Sequence, residues 1–201
     1  GALGARETGS HGGQDGERGD QLAHRSRRHA MRIGVLSDTH GNLALAEQVI
    51  GEMGSVDLVL HAGDYYEDSC RLAESGVRVI GVVGNCECGV DGPPERLVQV
   101  AGKRVLLTHG HRYRVKQDFR SLLSRARELN ADVVVFGHTH RAEAFWLGKV
   151  LFFNPGSLYA PVGDGPTYGM LVLDNGAIDP SFIVFVRSGV LTFDSEGIWR
   201  L

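Results

Sequence analysis

Five short apolar runs each end on a polar residue able to bind a metal, and that recurrence constrains this chain more than any other feature. Ile33-Gly34-Val35-Leu36 runs into Ser37-Asp38-Thr39-His40, and Leu58-Val59-Leu60 into His61-Ala62-Gly63-Asp64. Val79-Ile80-Gly81-Val82-Val83 runs into Gly84-Asn85, and Val105-Leu106-Leu107 into Thr108-His109-Gly110-His111. Val133-Val134-Val135-Phe136 runs into Gly137-His138-Thr139-His140. Such short apolar runs read as buried strands. In an open α/β sheet the carboxyl ends of the strands line the crevice where ligands bind. Gly137 permits a sharp turn where its strand stops. Two imidazoles one residue apart on a turning backbone reach one metal, or two adjacent metals, more easily than a helix would present them.

The segments between these runs set the fold class. Asn42 is a plausible N-cap for a helix to Met53, with Ala46, Val49, Ile50 and Met53 on one face. A weaker helix spans about Glu67 to Ser75, and Val77 to Val83 forms a strand. Leu97–Val100 and Val105–Leu107 pair across a turn at Gly102-Lys103. Phe119, Leu122, Leu123 and Ala126 mark an amphipathic helix. Beyond Phe136 the pattern is all strand: Phe145–Leu147, Val150–Phe153, Tyr168–Leu173, Phe182–Val186 and Val190–Phe193, separated by Gly, Pro and Asp turns. A βαβ-like first part followed by a mostly β last part predicts one α/β domain over 31–201 with a second, largely antiparallel sheet packed on the first. Phe182–Val186 is also a candidate edge strand for homo-oligomer formation, with ordinary core packing the favoured reading.

Residues 1–30 are rich in Gly, Arg, Asp, Glu and His and nearly devoid of large apolar side chains. Such a segment cannot bury enough surface to offset its ordering entropy, so it reads as a disordered N-terminal extension with Met31 as the natural start. It has neither the apolar core of a secretory signal nor the acid-poor composition of a transit peptide. No apolar run approaches the roughly 20 residues needed to cross a bilayer. The formal net charge of -3 asks for no anionic-membrane partner and disfavours long nucleic acids. Cys70, Cys86 and Cys88 are an odd number, two of them one residue apart, which argues for a reducing cytoplasm rather than a disulfide framework.

The strand ends supply seven candidate ligands: Asp38, His40, Asp64, Asn85, His109, His138 and His140. Their mixed oxygen and nitrogen donors suit Mn, Fe, Co, Ni or Zn. Seven is too many for one tetrahedral zinc and a natural number for two metals sharing a bridge. Two carboxylates leave a pair of divalent ions with about two uncancelled positive charges, which attract anions. Such ions lower the pKa of a shared water from about 15.7 toward neutrality and generate hydroxide, the nucleophile of two-metal phosphoester hydrolysis.

In order and spacing, Asp38-x-His40, Gly63-Asp64, Gly84-Asn85, Thr108-His109-Gly110-His111 and Gly137-His138-Thr139-His140 resemble the motifs of the calcineurin-like metallophosphoesterases. The opening Ser37-Asp38-Thr39-His40-Gly41-Asn42 and the later Asn154-Pro155-Gly156-Ser157 resemble the small YfcE-type phosphodiesterases in particular. The likeness covers about Met31 to Leu173. It implies a four-layer α/β/β/α sandwich of two mixed sheets. It implies that Asp38, His40 and His140 hold one metal, that Asn85, His109 and His138 hold a second, and that Asp64 bridges them. Asp64, Asn85 and His109 would then be catalytic through the metals, with no protein nucleophile. It further implies a small phosphodiester substrate and two divalent ions, Mn or Ni first, Zn or Fe as alternatives.

One position departs from the larger members of the family. Where they place a histidine directly after the asparagine, this chain has Cys86, followed by Glu87. A neutral thiol is poorly matched to protonating an alkoxide, so better turnover is expected for good leaving groups. Cys86, His111 and Arg141 are the candidate substrate contacts, His111 being equally placed to orient His109. Arg112, Arg114, Lys116 and Arg120 are candidates to rim the site, and His61 reads as a packed supporting histidine. A phosphomonoesterase or nuclease on the same centre is the rival within enzymes. A catalytically inactive scaffold that keeps the fold is the rival from another class, and it should show eroded ligands, whereas all seven are present here.

Overall fold

A computed structural model describes residues 30–163, 165–186, 189–193 and 199–200, so the extension expected over residues 1–30 lies almost wholly outside the described residues. Two mixed sheets face each other. The larger is built from β1 (Met31–Leu36), β2 (Leu58–His61), β3 (Val79–Gly81), β9 (Thr167–Asp174), β10 (Ala177–Val186), β11 (Gly189–Phe193) and β12 (Trp199–Arg200), in the order β12-β11-β10-β9-β1-β2-β3. The smaller comprises β4 (Glu95–Val100), β5 (Lys103–Thr108), β6 (Val133–Val135), β7 (Ala142–Leu147) and β8 (Val150–Pro155), in the order β4-β5-β6-β8-β7. β1, β2 and β3 run parallel, as do β5, β6 and β8. Three helices, α1 (Leu43–Met53), α2 (Tyr66–Glu74) and α3 (Arg120–Glu128), complete the expected α/β/β/α layering among the described residues.

The apolar runs lack alternation because both faces of their strands are covered. Ile33, Val35, Leu58 and Leu60 point inward against Val105, Leu107, Val133, Val135, Leu151 and Phe153 of the facing sheet. Their neighbours point outward: Val59 packs under Ala46, Val49 and Met53 of α1, while Leu106, Val134 and Phe152 pack under Leu122 and Ala126 of α3. Burying each such side chain contributes about 1.5–3 kcal/mol. Asn42 caps α1 as its sequence predicts, its side chain accepting from the Leu45 amide at 3.4 Å. No described helix is long and apolar enough to cross a membrane.

Three expectations need correction. The second sheet is mixed and not largely antiparallel, because β5, β6 and β8 run parallel while the antiparallel strands β9, β10 and β11 extend the first sheet. The strand expected over Val77–Val83 shrinks to Val79–Gly81, because the Val83 amide turns away to donate to Pro93 O at 2.9 Å. The strand expected over Phe182–Val186 begins at Ala177 and runs through Pro180. Among the described residues β11 pairs with Phe182 to Val186, and Pro180 pairs with Leu171 of β9. β10 is an interior strand between β9 and β11 with Phe182, Ile183 and Val184 buried, so the favoured reading of core packing holds over that of a self-associating edge.

Candidate metal centre

The parallel strands β1, β2, β3, β5 and β6 end at one common rim of the sandwich, and Asp38, Asp64, Asn85, His109, His138 and His140 follow those ends. Gly137 makes the convergence possible. A Cβ there would stand 2.8 Å from Asp38 Oδ2 and 3.1 Å from Ala62 O, and would overlap Ser37 Oγ. Without it the two sheets close on each other: the His138 amide donates to Asp38 Oδ2 at 3.1 Å, and His109 Nδ1 donates to Ala62 O at 2.8 Å. Ten non-glycine residues among those described have left-handed backbone, and six are Asp38, His40, Asp64, Tyr65, His138 and His140 (φ 47 to 76°). Such conformations cost about 1–3 kcal/mol each and persist where surrounding structure enforces them.

The electrostatics of the rim are those of a site built around cations. Asp38, His40, Asp64 and His140 offer ligand atoms that all lie within 4.8 Å of one another. The Asp38 carboxylate is wholly buried, and Asp38 Oδ1 and His40 Nε2 have no hydrogen-bond partner. His140 donates from Nδ1 to Ala160 O at 2.7 Å. In the neutral ring its Nε2 therefore carries a lone pair, and that lone pair faces Asp38 Oδ1 at 3.1 Å. Two acceptors at this distance need a cation between them. A hydrogen bond from the protonated ring to the Asp38 carboxylate holds His140 above its ordinary pKa.

The same arrangement recurs on the other side of Asp64. His109 spends its Nδ1 proton on Ala62 O, leaving Nε2 to face Asn85 Oδ1 at 3.1 Å and Asp64 Oδ1 at 3.4 Å. His138 packs edge-on to His109 with ring centroids 5.0 Å apart. Asp64 thus turns Oδ1 toward His109 and Oδ2 toward His40, 3.5 Å away. Burial works to raise the Asp64 pKa, but His109 and the amides of Cys86 and Asn85, donating to Oδ1 at 3.0 and 2.8 Å, outweigh it and hold the carboxyl low. Burial, reinforced by His109, pushes His138 down to about 4 and lowers His111, which keeps both imidazoles neutral and available as donors of a lone pair.

The remaining predicted residues are placed as follows. His61 is buried and not at the rim, and burial lowers it to about 4. Its Nδ1 accepts from the Gly63 amide at 3.3 Å and its Nε2 meets Thr39 Oγ1 at 3.1 Å, so it supports the turn that carries Asp38 and His40. Cys86 is exposed with its thiol raised to about 11, first by burial of the sulfur and then by Asp64. It is therefore neutral at pH 7. His111 lies against His109 and His138, at 5.3 and 6.1 Å between ring centroids. Arg141, Arg112, Arg114, Lys116 and Arg120 are all exposed.

Sequence reasoning missed the supporting bonds. Asp68 accepts from Thr39 Oγ1 at 2.6 Å and from the Gly41 amide at 3.0 Å. Ser157 Oγ donates to Asp38 O at 3.0 Å, and Asn154 Nδ2 donates to Gly137 O at 3.1 Å. The Asn154-Pro155-Gly156-Ser157 motif carried a signal for the last two. Nothing in the sequence links Thr39 to Asp68.

A two-sheet sandwich with a carboxylate–imidazole cluster able to hold metal at the shared carboxyl rim defines a metal-dependent phosphoesterase. The family model for the calcineurin-like phosphoesterase superfamily domain matches residues 31–176, and the chain belongs to that superfamily, in its small YfcE-type branch. It is 36% identical over 155 residues to the probable metallophosphoesterase YsnB of Bacillus subtilis, covering 76% of this chain and 90% of that protein. It is 32% identical over 168 residues to phosphodiesterase YfcE of Escherichia coli, covering 70% of this chain and 87% of that one. A conserved protein of Streptococcus pneumoniae described as a predicted phosphoesterase superimposes with a TM-score of 0.70 at 28% identity, over 83% of this chain and 98% of that one.

Proposed function

We propose that this chain hydrolyses small phosphodiesters at a centre of two divalent cations. Asp38, His40 and His140 hold one, Asn85, His109 and His138 hold the other, and Asp64 bridges them. The observation that carries this reading is the pair of acceptor clusters on either side of Asp64, one at Asp38 Oδ1 and His140 Nε2, the other at His109 Nε2 and Asn85 Oδ1. With the imidazoles neutral, each is a set of lone pairs that face one another. When bound, the two ions supply Lewis acidity toward phosphoryl oxygens and activate water at neutral pH. The protein's part is to fix the donors. Ala160 O and Ala62 O set the tautomers of His140 and His109, and Ser37 Oγ and the His138 amide hold Asp38 Oδ2, leaving Oδ1 free. His111, Cys86 and Arg141 lie next to these ligands in space or sequence and are the proposed phosphate contacts.

The mixed donor set suits Mn, Fe, Co, Ni or Zn, and the resemblance to the YfcE-type phosphodiesterases puts Mn or Ni first. Three free, exposed cysteines fit a reducing cytoplasm. The test is hydrolysis of bis-p-nitrophenyl phosphate by chelator-stripped protein, before and after Mn or Ni is added, with Asp64→Ala in parallel. Metal-restored turnover that is absent in Asp64→Ala is the expected result. Turnover that survives chelation, or that Asp64→Ala retains, overturns the two-cation reading.

A further inference from the structure

Five large apolar side chains are exposed among the described residues: Tyr65, Val90, Trp146, Tyr159 and Val162. All but Trp146, on β7, belong to loops that carry or brace the proposed ligands. Tyr65 follows Asp64, Val90 lies on the loop after Asn85, and Tyr159 and Val162 flank Ala160, the acceptor for His140. Exposed apolar side chains scattered singly need no explanation, but two exposed rings that meet on one imidazole do.

Tyr65 and Tyr159 come from loops far apart in sequence and both lean on the His40 imidazole. Their ring centroids are 5.6 and 5.0 Å from it, tilted by 56° and 42°. Tyr65 is 38% exposed and Tyr159 62%. Neither is held loosely. Tyr65 keeps a left-handed backbone (φ 76°), and its ring lies over Gly41, where a Cβ would stand 3.3 Å from Cε1. The Tyr159 loop is pinned at both ends. Ser157 Oγ accepts from the amides of Tyr159 and Ala160 at 3.1 and 3.0 Å while donating to Asp38 O. The Val162 amide donates to His140 O at 2.9 Å. A ring more than half exposed, on a loop fastened to the ligands themselves, is positioned to meet something from solvent.

We infer that Tyr65 and Tyr159 form an aromatic platform for a flat ring carried on the phosphate, so that the preferred substrates are phosphodiesters with an aryl or nucleoside ester group rather than purely alkyl ones. This rests on the phosphodiesterase reading above. Offset stacking on an aromatic side chain suits any planar ring, and base stacking is worth about 1–3 kcal/mol per base.

The test is calorimetric binding of three phosphate monoesters, methyl phosphate, phenyl phosphate and thymidine 5′-monophosphate, to the Mn-loaded protein. All three present the same phosphate, so differences report the ester group. The ring-bearing esters should bind roughly 5- to 100-fold tighter than methyl phosphate, the stacking energy above converted to affinity. Tyr159→Ala and Tyr65→Ala should each shrink that ratio, and Tyr159→Phe should keep it. The stronger of phenyl phosphate and thymidine 5′-monophosphate identifies the aryl or nucleoside source. Equal affinity for methyl and phenyl phosphate, or a uniform loss for all three in both alanine variants, overturns the platform while leaving the phosphodiesterase reading standing. Failure of all three to bind overturns the platform, while turnover of bis-p-nitrophenyl phosphate by the same Mn-loaded protein decides the phosphodiesterase reading separately.

Discussion

Gly84→Ala tests whether the placement of Asp64 governs activity separately from the fold. Gly84 needs no left-handed backbone, so the substitution adds a methyl group without backbone strain. A Cβ there would stand 2.8 Å from Asp64 Cα and overlap both the Asp64 amide nitrogen and Oδ1. Carbon atoms pack at about 3.5–4.0 Å, so roughly 1 Å of movement must be found. The obstructing atoms include backbone, and a change of Asp64 rotamer cannot supply it. Asp64 is 2% exposed with its Oδ1 tied to the Asn85 and Cys86 amides, so the loop from Gly84 to Cys86 and the Asp64 turn must separate. Overpacking of this kind costs about 1–3 kcal/mol, and a displacement of about 1 Å at a reacting centre costs about 100-fold in rate. Gly51→Ala is the control: it sits in α1 with nothing within 4 Å of its Cβ. It should gain about 0.5–1 kcal/mol from lost chain entropy and leave activity alone. The assay is Mn-dependent hydrolysis of bis-p-nitrophenyl phosphate beside thermal unfolding. A Gly84→Ala protein that keeps parental kcat/KM at parental Tm would refute the reasoning.

Three further outcomes are expected. Ser157→Ala strips a fully buried hydroxyl from Asp38 O and from two amides, and should lose about 1–3 kcal/mol in denaturant unfolding. Metal titration of the same variant should show affinity weakened by about 10–100-fold, and an unchanged affinity would mean that Ser157 does not hold Asp38 in place. Glu95 joins β4 to α3: burial works to raise its pKa, but Arg125 at 2.6 Å and the Tyr113 hydroxyl outweigh it and hold it low. Its contribution is therefore present above the unfolded value of about 4.3 and disappears as pH falls through the depressed folded value. Unfolding of the parent and Glu95→Gln from pH 7 downward should show a stability gap that closes in acid, and a gap of constant size would contradict this. With Cys86 neutral and standing where larger family members place a histidine, kcat/KM across p-nitrophenyl, phenyl and alkyl diesters should fall steeply with leaving-group pKa. A flat series with chemistry rate-limiting would mean that an unrecognised acid protonates the leaving group.

The strands and helices were largely legible because their apolar periodicity is local. Ala46, Val49 and Met53 became the buried face of α1, and Leu122 and Ala126 that of α3, as their spacing requires. Where a neighbouring sheet intervened, the reading failed. Val82 and Val83 continue an apolar run, yet the Val83 amide is captured by Pro93 O and the strand ends at Gly81. Pro180 looked like a breaker, yet it lies within β10 and pairs with Leu171 of β9. His61 was legible as a supporting residue, but its tie to Thr39, and through Thr39 to Asp68, depends on contacts between segments more than twenty residues apart.

What the sequence by itself determined is the chemistry on offer: carboxylates, an amide and imidazoles each placed just past an apolar strand, in an order that resembles one family. Strand ends are local features, and a residue's donor atoms belong to its type. What only the tertiary structure decided is that these ends meet. Packing of one sheet on the other through Ile33, Val35, Leu107 and Val135 sets which rims coincide, and the absence of a side chain at Gly137 lets them close. The tautomers that turn His109 and His140 into acceptors are fixed by Ala62 O and Ala160 O. Those carbonyls are supplied by distant parts of the chain, whose position follows from burial of the whole core and not from any pattern around the histidines.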